Sequence, residues 1–257
     1  MHRINSSHGV TISYDEHGSG PPLVLVHGGF SDHWTNWEFV LPFFSQEFTV
    51  YAIARRGRGE TEATELRRLE DEWLDVTALI QTLNEPVFLL GHSYGAHVAL
   101  GAASLVPERV RKLVLYEAPW PELLRQVPEP LITHARNNDW DAFSFWFFEN
   151  VLSVPLEDLT ALRQSELWPP IVADAEASLA DLRALSKYDF QCDRFKALGM
   201  PTLLQTGTES PSHLYVTGKL FEVLPGARVE RLESQAHEAM TTAPGLYADS
   251  VIRFLGG

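Results

Sequence analysis

A serine inside a Gly-x-Ser-x-Gly pentapeptide is the strongest chemical signal in this sequence. The pentapeptide at residues 91–95, GHSYG, follows the apolar run VFLL and precedes a stretch of small residues. A buried strand that turns at once into a helix crowds the positions two before and two after the turn, which favours glycine at both. Such a turn holds Ser93 in a strained backbone conformation and lifts its hydroxyl off the end of the strand. The pattern predicts a nucleophilic serine.

A base for this serine is predicted near the end of the chain. His237 follows a predicted strand at residues 227–232 and precedes a predicted helix at residues 244–255. A histidine at the carboxyl end of a buried strand can lean over the neighbouring strand ends and take the proton of a serine. We therefore predict that His237 is the general base for Ser93.

Backbone N–H groups that could hold an oxyanion are predicted at two places. The apolar run LVLV at residues 23–26 ends in a histidine, two glycines and a phenylalanine. Glycine lets the backbone approach a ligand closely and present an N–H group to it. We predict an oxyanion hole from the N–H groups of Gly29 and Tyr94, with Phe30 as the alternative to Gly29. The helix that begins after Ser93 directs further N–H groups toward the same place.

The segments that must position these residues alternate between strands and helices. Short apolar segments are followed by a glycine or polar turn and then by a helical stretch, which is typical of an α/β sheet. Runs such as LVLV and VFLL show no polar alternation, so they fit strands covered by helices on both faces. The predicted strands are residues 10–14, 23–27, 49–54, 87–90, 110–116, 202–206 and 227–232. Helices are predicted at residues 70–83 and 95–105.

This alternation stops at residues 119–199, which read as helical throughout and are rich in aromatic residues. We predict a helical insertion there, in a core domain made of residues 1–118 and 200–257. Most of its aromatic residues are expected to form the insertion's own core, and a few to line a pocket that faces the sheet. The predicted pocket residues are Phe30, Trp140, Phe143, Trp146 and Phe147.

Composition narrows the possible partners. The 257 residues carry a net charge of −14, which repels phosphate backbones and anionic lipids, so we expect no nucleic acid and no membrane partner. The single cysteine cannot close an intrachain disulfide, and the histidines show no metal-binding spacing, so we expect no metal and no cofactor. Residues 1–20 lack the apolar core of a signal peptide, so we expect a cytoplasmic protein that binds a small molecule. The sequence leaves the oligomeric state open.

Five elements together make the chain resemble the α/β-hydrolase-fold superfamily over essentially its whole length. They are HGGF at residues 27–30, ARRGRGET at 54–61, GHSYG at 91–95, the helical insertion at 119–199 and AHE at 236–238. The resemblance implies a mostly parallel twisted sheet of about eight strands with helices on both faces, and a helical cap over the substrate pocket. It also implies a triad of serine, acid and histidine in that chain order.

The acid is where this sequence departs from the family pattern. The family usually carries it three residues beyond a glycine, after the strand that follows the cap, and that position here is Ser210. Glu209 lies one residue earlier, where the side chain of an extended segment points the opposite way. Glu117 ends the preceding strand, where some members with a helical cap carry their acid, and a carboxylate there needs a partner such as His237. We favour Glu117 and keep Glu209 as the alternative.

A second departure is Ala54, where the resemblance leads us to expect an aspartate that bonds to the loop backbone. Its absence puts the anchoring of that loop in doubt. Arg55 and Arg56 are expected to pair with acidic neighbours and not to bind substrate.

The expected reaction is hydrolysis of a carboxylic ester of a small, apolar substrate through an acyl-enzyme. Carbon–carbon bond, lactone or amide hydrolysis on the same triad stays open, as does a receptor of this fold that binds a small ligand without turnover. A serine at this position argues against epoxide hydrolase and haloalkane dehalogenase activity, because family members that catalyse those reactions attack with a carboxylate.

Overall fold

The structure, a computed structural model, describes residues 1–6, 9–63 and 68–256. Its strands are β1 (His2–Asn5), β2 (Thr11–Gly18), β3 (Pro22–Val26), β4 (Thr49–Ala54), β5 (Val87–His92), β6 (Val110–Tyr116), β7 (Thr202–Gly207) and β8 (Ala227–Leu232). Its α-helices are α1 (Leu41–Glu47), α2 (Leu69–Thr82), α3 (Tyr94–Leu105), α4 (Glu129–Arg136), α5 (Trp140–Asn150), α6 (Leu156–Arg163), α7 (Trp168–Ser186), α8 (Thr217–Val223), α9 (Ala239–Thr242) and α10 (Pro244–Gly256).

The strands form one eight-stranded sheet in the order β1-β2-β4-β3-β5-β6-β7-β8. β2 pairs antiparallel with β1 and with β4, and the pairs from β4 through β8 are parallel. This confirms the predicted mostly parallel sheet with helices on both faces. The predictions missed β1, which is a mostly exposed edge strand, HRIN, without an apolar run.

The central strands are apolar on both faces because helices cover both. In β3, Leu23 and Leu25 pack into a cluster with residues of α1 and α10. Val24 and Val26 point the other way, into a larger cluster with residues of α2 and α3. The uninterrupted apolar run LVLV is thus explained by burial on two sides.

Small residues let α3 lie close to its neighbours. A Cβ atom on Gly101 would lie only 2.0 Å from Cε2 of Trp73, a residue of α2. The indole ring therefore occupies the space that a side chain at position 101 would need, and any larger residue there would force the two helices apart.

The helices α4 to α7 all lie between β6 and β7, within the segment where the sequence predicts a cap. They are four separate helices with turns between them, not an uninterrupted helical segment. Phe143, Phe147 and Phe148 of α5 share one apolar cluster with Phe30, which follows β3. The insertion therefore packs over the carboxyl ends of the parallel strands, while its exact domain boundaries at 119 and 199 stay a prediction. Across the described ranges, no helix combines the length and the apolar character that crossing a membrane requires.

Candidate active site

Ser93 occupies a sharp turn between β5 and α3. Its backbone has φ 54° and ψ −123°, a conformation that residues other than glycine rarely adopt. A Cβ atom on Gly91 would lie 2.5 Å from the carbonyl oxygen of Gly95, and one on Gly95 would lie 2.3 Å from the carbonyl oxygen of His27. Both glycines are therefore required by close approach of the backbone, as the pentapeptide predicts.

The carboxyl ends of the parallel strands bring the other predicted residues to the same edge of the sheet. Glu117 follows β6, and His237 follows β8. His237 Nδ1 lies 2.7 Å from Glu117 Oε2. The second carboxylate oxygen, Oε1, accepts hydrogen bonds from the N–H of Gly207 at 2.8 Å and from the hydroxyl of Thr206 at 2.9 Å. A fully buried carboxylate is thus fixed on one nitrogen of the imidazole, which leaves Nε2 for a reacting proton.

The pair shifts the pKa values of both partners toward the ionised forms. Burial of the His237 ring disfavours the cation, but the hydrogen bond and negative charge of Glu117 outweigh burial and raise the pKa of His237 above its ordinary value. Burial also penalises the Glu117 carboxylate, yet the bond to His237 lowers its pKa below the ordinary value. A carboxylate in this position stabilises an imidazolium, which is the form that a general base takes once it has accepted a proton.

Glu209, the alternative acid, lies elsewhere. Its side chain is exposed, and its carboxylate accepts a hydrogen bond from the neighbouring Thr208 hydroxyl at 3.3 Å. The structure therefore brings Glu117, and not Glu209, to His237. Glu209 lies in a bend just after β7, and its side chain is exposed there.

Ser93 and His237 line the same cavity. Among the hydrogen bonds of the described residues, none joins the Ser93 hydroxyl to the imidazole. Hydrogen bonds between catalytic groups are often long or misaligned in a free enzyme and tighten when substrate binds. Both residues therefore line one cavity, and no hydrogen bond joins their side chains within the described ranges.

The predicted oxyanion groups also line this cavity. Gly29 and Tyr94 both contribute to its wall. The N–H of Phe30, the alternative donor, is already engaged, because it donates to the hydroxyl oxygen of Ser178 at 2.6 Å. Gly29 is thus the better candidate for the predicted oxyanion hole, because the N–H of Phe30 is bonded to Ser178 of α7.

Ser178 belongs to a buried ionic cluster that the sequence analysis missed. The cluster consists of Arg55, Arg58, Glu72, Asp174, Ser178 and Asp181. Ser178 Oγ donates to Asp174 Oδ2 at 2.8 Å and accepts from Arg58 Nη2 at 3.2 Å. Asp181 lies 2.7 Å from a guanidinium nitrogen of each of the two arginines. These contacts tie α7 to the loop after β4 and to Phe30, which lines the same cavity as Ser93.

The arginines are paired with acids, as the sequence predicts. Arg56 bonds to Asp75 at 2.6 Å, and Arg55 bonds to Glu72 at 3.0 Å. Arg55 also donates to the carbonyl oxygens of His27 and Gly28, at 2.9 and 2.7 Å. The side chain of Arg55 therefore ties the loop after β4 to the backbone of residues 27–28, although Ala54 stands where an aspartate was expected.

The cavity wall contains only part of the predicted aromatic set. Phe30 and Phe147 line the cavity. Trp140, Phe143 and Trp146 do not, in contrast to the prediction. Phe143 is fully buried and packs between Phe30 and Trp140, at ring distances of 5.9 and 5.5 Å. Helical geometry turns one stripe of α5 toward the cavity and leaves its other aromatic residues to packing within the insertion.

Several wall residues carried no recognisable signal in the sequence. They include Trp120, Phe148, Ser178, Asp181, Tyr215 and Glu238. Tyr215 stacks on the His237 ring at 5.4 Å, with an angle of 13° between the planes. Tyr215 lies outside the five elements that carry the resemblance. The others lie within the insertion or, for Glu238, within AHE, but their residue types alone do not show that they face the cavity.

One group of three possible metal ligands occurs within the described residues, namely His92, His237 and Glu238, whose ligand atoms lie within 4.8 Å of one another. Both ring nitrogens of His92 already have partners, Asn36 Oδ1 and the carbonyl oxygen of His237, each at 3.0 Å. His237 Nδ1 is held by Glu117. Only His237 Nε2 and the Glu238 carboxylate remain, so this donor set favours proton transfer over metal binding.

Comparison with known proteins identifies the family of the chain. The model of the alpha/beta hydrolase family matches residues 23–250, and the chain belongs to that family. An alpha/beta hydrolase from Sphaerobacter thermophilus has a similar structure, with a TM-score of 0.83 and 28% identity over 99% of this chain and 100% of that chain.

Curated relatives match over shorter segments. The human protein named epoxide hydrolase 4 is 33% identical over 129 residues, which are 48% of this chain and 35% of that protein. A 2-hydroxymuconate semialdehyde hydrolase from Pseudomonas sp. (strain CF600) is 33% identical over 112 residues, which are 42% of this chain and 40% of that protein. The matched segments thus span well under half of the length of these relatives.

Proposed function

We propose that the protein is a serine hydrolase that cleaves a carboxylic ester of a small, mostly apolar substrate through an acyl-enzyme. The observation that supports this most directly is the 2.7 Å contact between His237 Nδ1 and Glu117 Oε2, at the wall of a cavity that Ser93 also lines. A buried base held by an acid beside a strained serine is the arrangement that acyl transfer needs.

In the proposed reaction, Ser93 Oγ attacks the ester carbonyl and gives its proton to His237 Nε2. The N–H groups of Gly29 and Tyr94 stabilise the oxyanion, and Glu117 stabilises the imidazolium. The imidazolium returns the proton to the leaving alcohol, which departs as the acyl-enzyme forms. Water then attacks the acyl group with His237 as base again, and the acid product and free serine are released.

The names of the relatives suggest two other reactions, epoxide hydrolysis and carbon–carbon bond hydrolysis. A serine at the nucleophile position disfavours epoxide opening by direct carboxylate attack. Carbon–carbon bond hydrolysis is the second candidate, because one relative is named 2-hydroxymuconate semialdehyde hydrolase. Turnover of that semialdehyde faster than of any ester would favour this second candidate.

The test is a series of 4-nitrophenyl esters of increasing acyl length, assayed with the wild type and with Ser93→Ala. We expect turnover with a preference for one chain length and a loss of kcat by about 10⁴- to 10⁶-fold in the variant. Circular dichroism should show that the variant is folded. Retention of more than about one hundredth of the wild-type kcat would contradict the assignment of Ser93 as nucleophile.

A further inference from the structure

Among the described residues, two carboxylates line the cavity, those of Asp181 and Glu238, and they differ in their hydrogen-bond partners. Asp181 accepts hydrogen bonds from Arg55 and Arg58. The carboxylate of Glu238, the residue directly after His237, accepts none from any side chain or backbone group in the described ranges, and the half-buried Glu238 lines the cavity. One wall carboxylate is thus neutralised by two guanidinium groups, and the other has no hydrogen-bond donor.

The surroundings of Glu238 hold few groups that could balance a negative charge. Burial, followed by the charge of Glu117, raises the pKa of Glu238 to about 7, although His237 opposes the shift. The titratable groups that face it are Glu117, His237, Tyr116, Tyr215, Tyr247 and His92. His237 is already paired with Glu117, and His92 is held neutral by burial, which lowers its pKa. Glu238 therefore lacks a dedicated cation.

The remaining wall suits a positively charged guest. Among the described residues that line the cavity there is no lysine and no arginine. Aromatic residues, including Trp120 and Tyr215, contribute to the wall, and aromatic faces attract cations. The net charge of −14 also favours the approach of a cation over that of an anion.

We propose that Glu238 is a specificity-determining residue that binds an ammonium group of the substrate, so that the cavity takes cationic esters in preference to neutral or anionic ones. The inference rests on the proposed function of the same site. A half-buried carboxylate that has lost part of its water without gaining a partner is costly, and an ammonium group on the substrate would supply the missing charge as it displaces water from the cavity.

The test compares esters that differ only in charge. A quaternary ammonium group and a tert-butyl group have nearly the same shape, so thiocholine butyrate and S-(3,3-dimethylbutyl) thiobutanoate form a matched pair with the charge on the leaving group. A second pair carries the same two groups at the end of the acyl chain of a 4-nitrophenyl ester. The variants are Glu238→Gln and, as a control on an exposed carboxylate of the same segment, Glu233→Gln.

The wild type should favour the cationic member of at least one pair by about tenfold in kcat/KM at pH 8. In Glu238→Gln that ratio should fall toward one, whereas Glu233→Gln should keep it. The ratio should also fall at pH 6, where a carboxyl group with a pKa of about 7 is mostly protonated. A wild-type ratio near one in both pairs, or an equal ratio in Glu238→Gln and the wild type, would overturn the proposal.

Binding to Ser93→Ala separates this inference from the proposed reaction. Calorimetry with choline and with 3,3-dimethylbutan-1-ol needs no turnover, so it reports on Glu238 even if the protein hydrolyses no ester. Stronger binding of choline, lost in the double variant with Glu238→Gln, supports the proposal. Equal binding of the two alcohols contradicts it. Absence of ester turnover in the wild type, by contrast, counts against the proposed function alone.

Discussion

Two buried ionic clusters flank the cavity, one on the sheet side and one on the helical side. Glu117 and His237 meet at the carboxyl ends of β6 and β8, with 2.7 Å between carboxylate and imidazole. Arg55 and Arg58 meet Asp181 of α7, also at 2.7 Å. The charged groups are buried in both clusters and the distances are equal, but the cations differ. An imidazole can lose its proton near neutral pH, whereas a guanidinium cannot.

Because the cations differ, the first cluster is suited to proton transfer and the second to holding the cavity wall in place. The pKa of His237 is set by a balance between burial and its contact with Glu117, so the pair can accept and return a proton. Burial lowers the pKa of Arg55, and Glu72 opposes that shift, but a guanidinium stays charged throughout the pH range of a folded protein. The arginine cluster therefore holds α7, through Ser178, against the loop that carries Gly29 and Phe30.

The largest effect is expected from breaking the first cluster. Glu117→Gln keeps the shape of the acid but removes the charge that stabilises the imidazolium, so kcat should fall by about 10³- to 10⁴-fold. Glu209→Gln is the matched control, since it makes the same change on an exposed carboxylate, and kcat should stay within about twofold of the wild type. A larger loss in Glu209→Gln than in Glu117→Gln would reverse the assignment of the acid.

Breaking the second cluster should change stability more than chemistry. Asp181→Asn removes a carboxylate shared by two buried guanidinium groups, and the free energy of unfolding should fall by about 3 kcal/mol. This value is at the low end for a buried ion pair, because Arg55 keeps Glu72 and Arg58 keeps Asp174. Urea unfolding measures the change. Glu129→Gln, which breaks an exposed pair with Arg136, is the control and should cost no more than about 0.5 kcal/mol.

A smaller effect is expected where the second cluster reaches the loop that carries Gly29 and Phe30. Ser178→Ala removes the acceptor of the Phe30 N–H and loosens the neighbouring Gly29, so kcat should fall on the order of tenfold with little change in KM. Ser186→Ala on the same helix, whose hydroxyl bonds only to the Arg183 carbonyl oxygen, should leave kcat unchanged. Equal kcat in the two variants, measured on one ester, would mean that Ser178 has no positioning role.

The pH profile sharpens the contrast between the clusters. The base must be neutral to accept a proton, so the acid limb of kcat/KM should lie above the ordinary histidine pKa of about 6.5. In Glu117→Gln the burial that disfavours the cation remains and the opposing carboxylate is gone, so the limb should move to lower pH. In Asp181→Asn it should stay in place, and an equal shift in both variants would mean that the limb does not report on the Glu117–His237 pair.

The sequence predicts the first cluster better than the second, for a physical reason. The resemblance implies an acid at the position of Glu117 and a histidine after it in the chain. The residues support both, because an ionisable residue at the end of an apolar strand needs a partner and parallel strands end at one edge of the sheet. Asp174, Ser178 and Asp181 do show a helical spacing that puts three polar residues on one face of α7. Nothing in that spacing identifies arginines more than a hundred residues away as their partners.

Strands and helices, too, are predicted from the sequence only where burial leaves a pattern in it. Strands with apolar runs were predicted because burial on both faces leaves a clear pattern, whereas β1 was missed because an edge strand needs no such pattern. The prediction that Trp140, Phe143 and Trp146 line the cavity is wrong. Aromatic content shows that an insertion has a core, but it does not show which face of a helix lines the cavity.

Labelling with a fluorophosphonate probe, followed by mass spectrometry of the digested protein, tests most directly whether Ser93 is the nucleophile. The predicted result is one adduct, on the peptide that contains Ser93, formed quickly in the wild type and much more slowly in Glu117→Gln. The labelled protein should no longer turn over ester substrates. An adduct on another residue, or ester turnover that continues after Ser93 is fully labelled, would contradict the assignment.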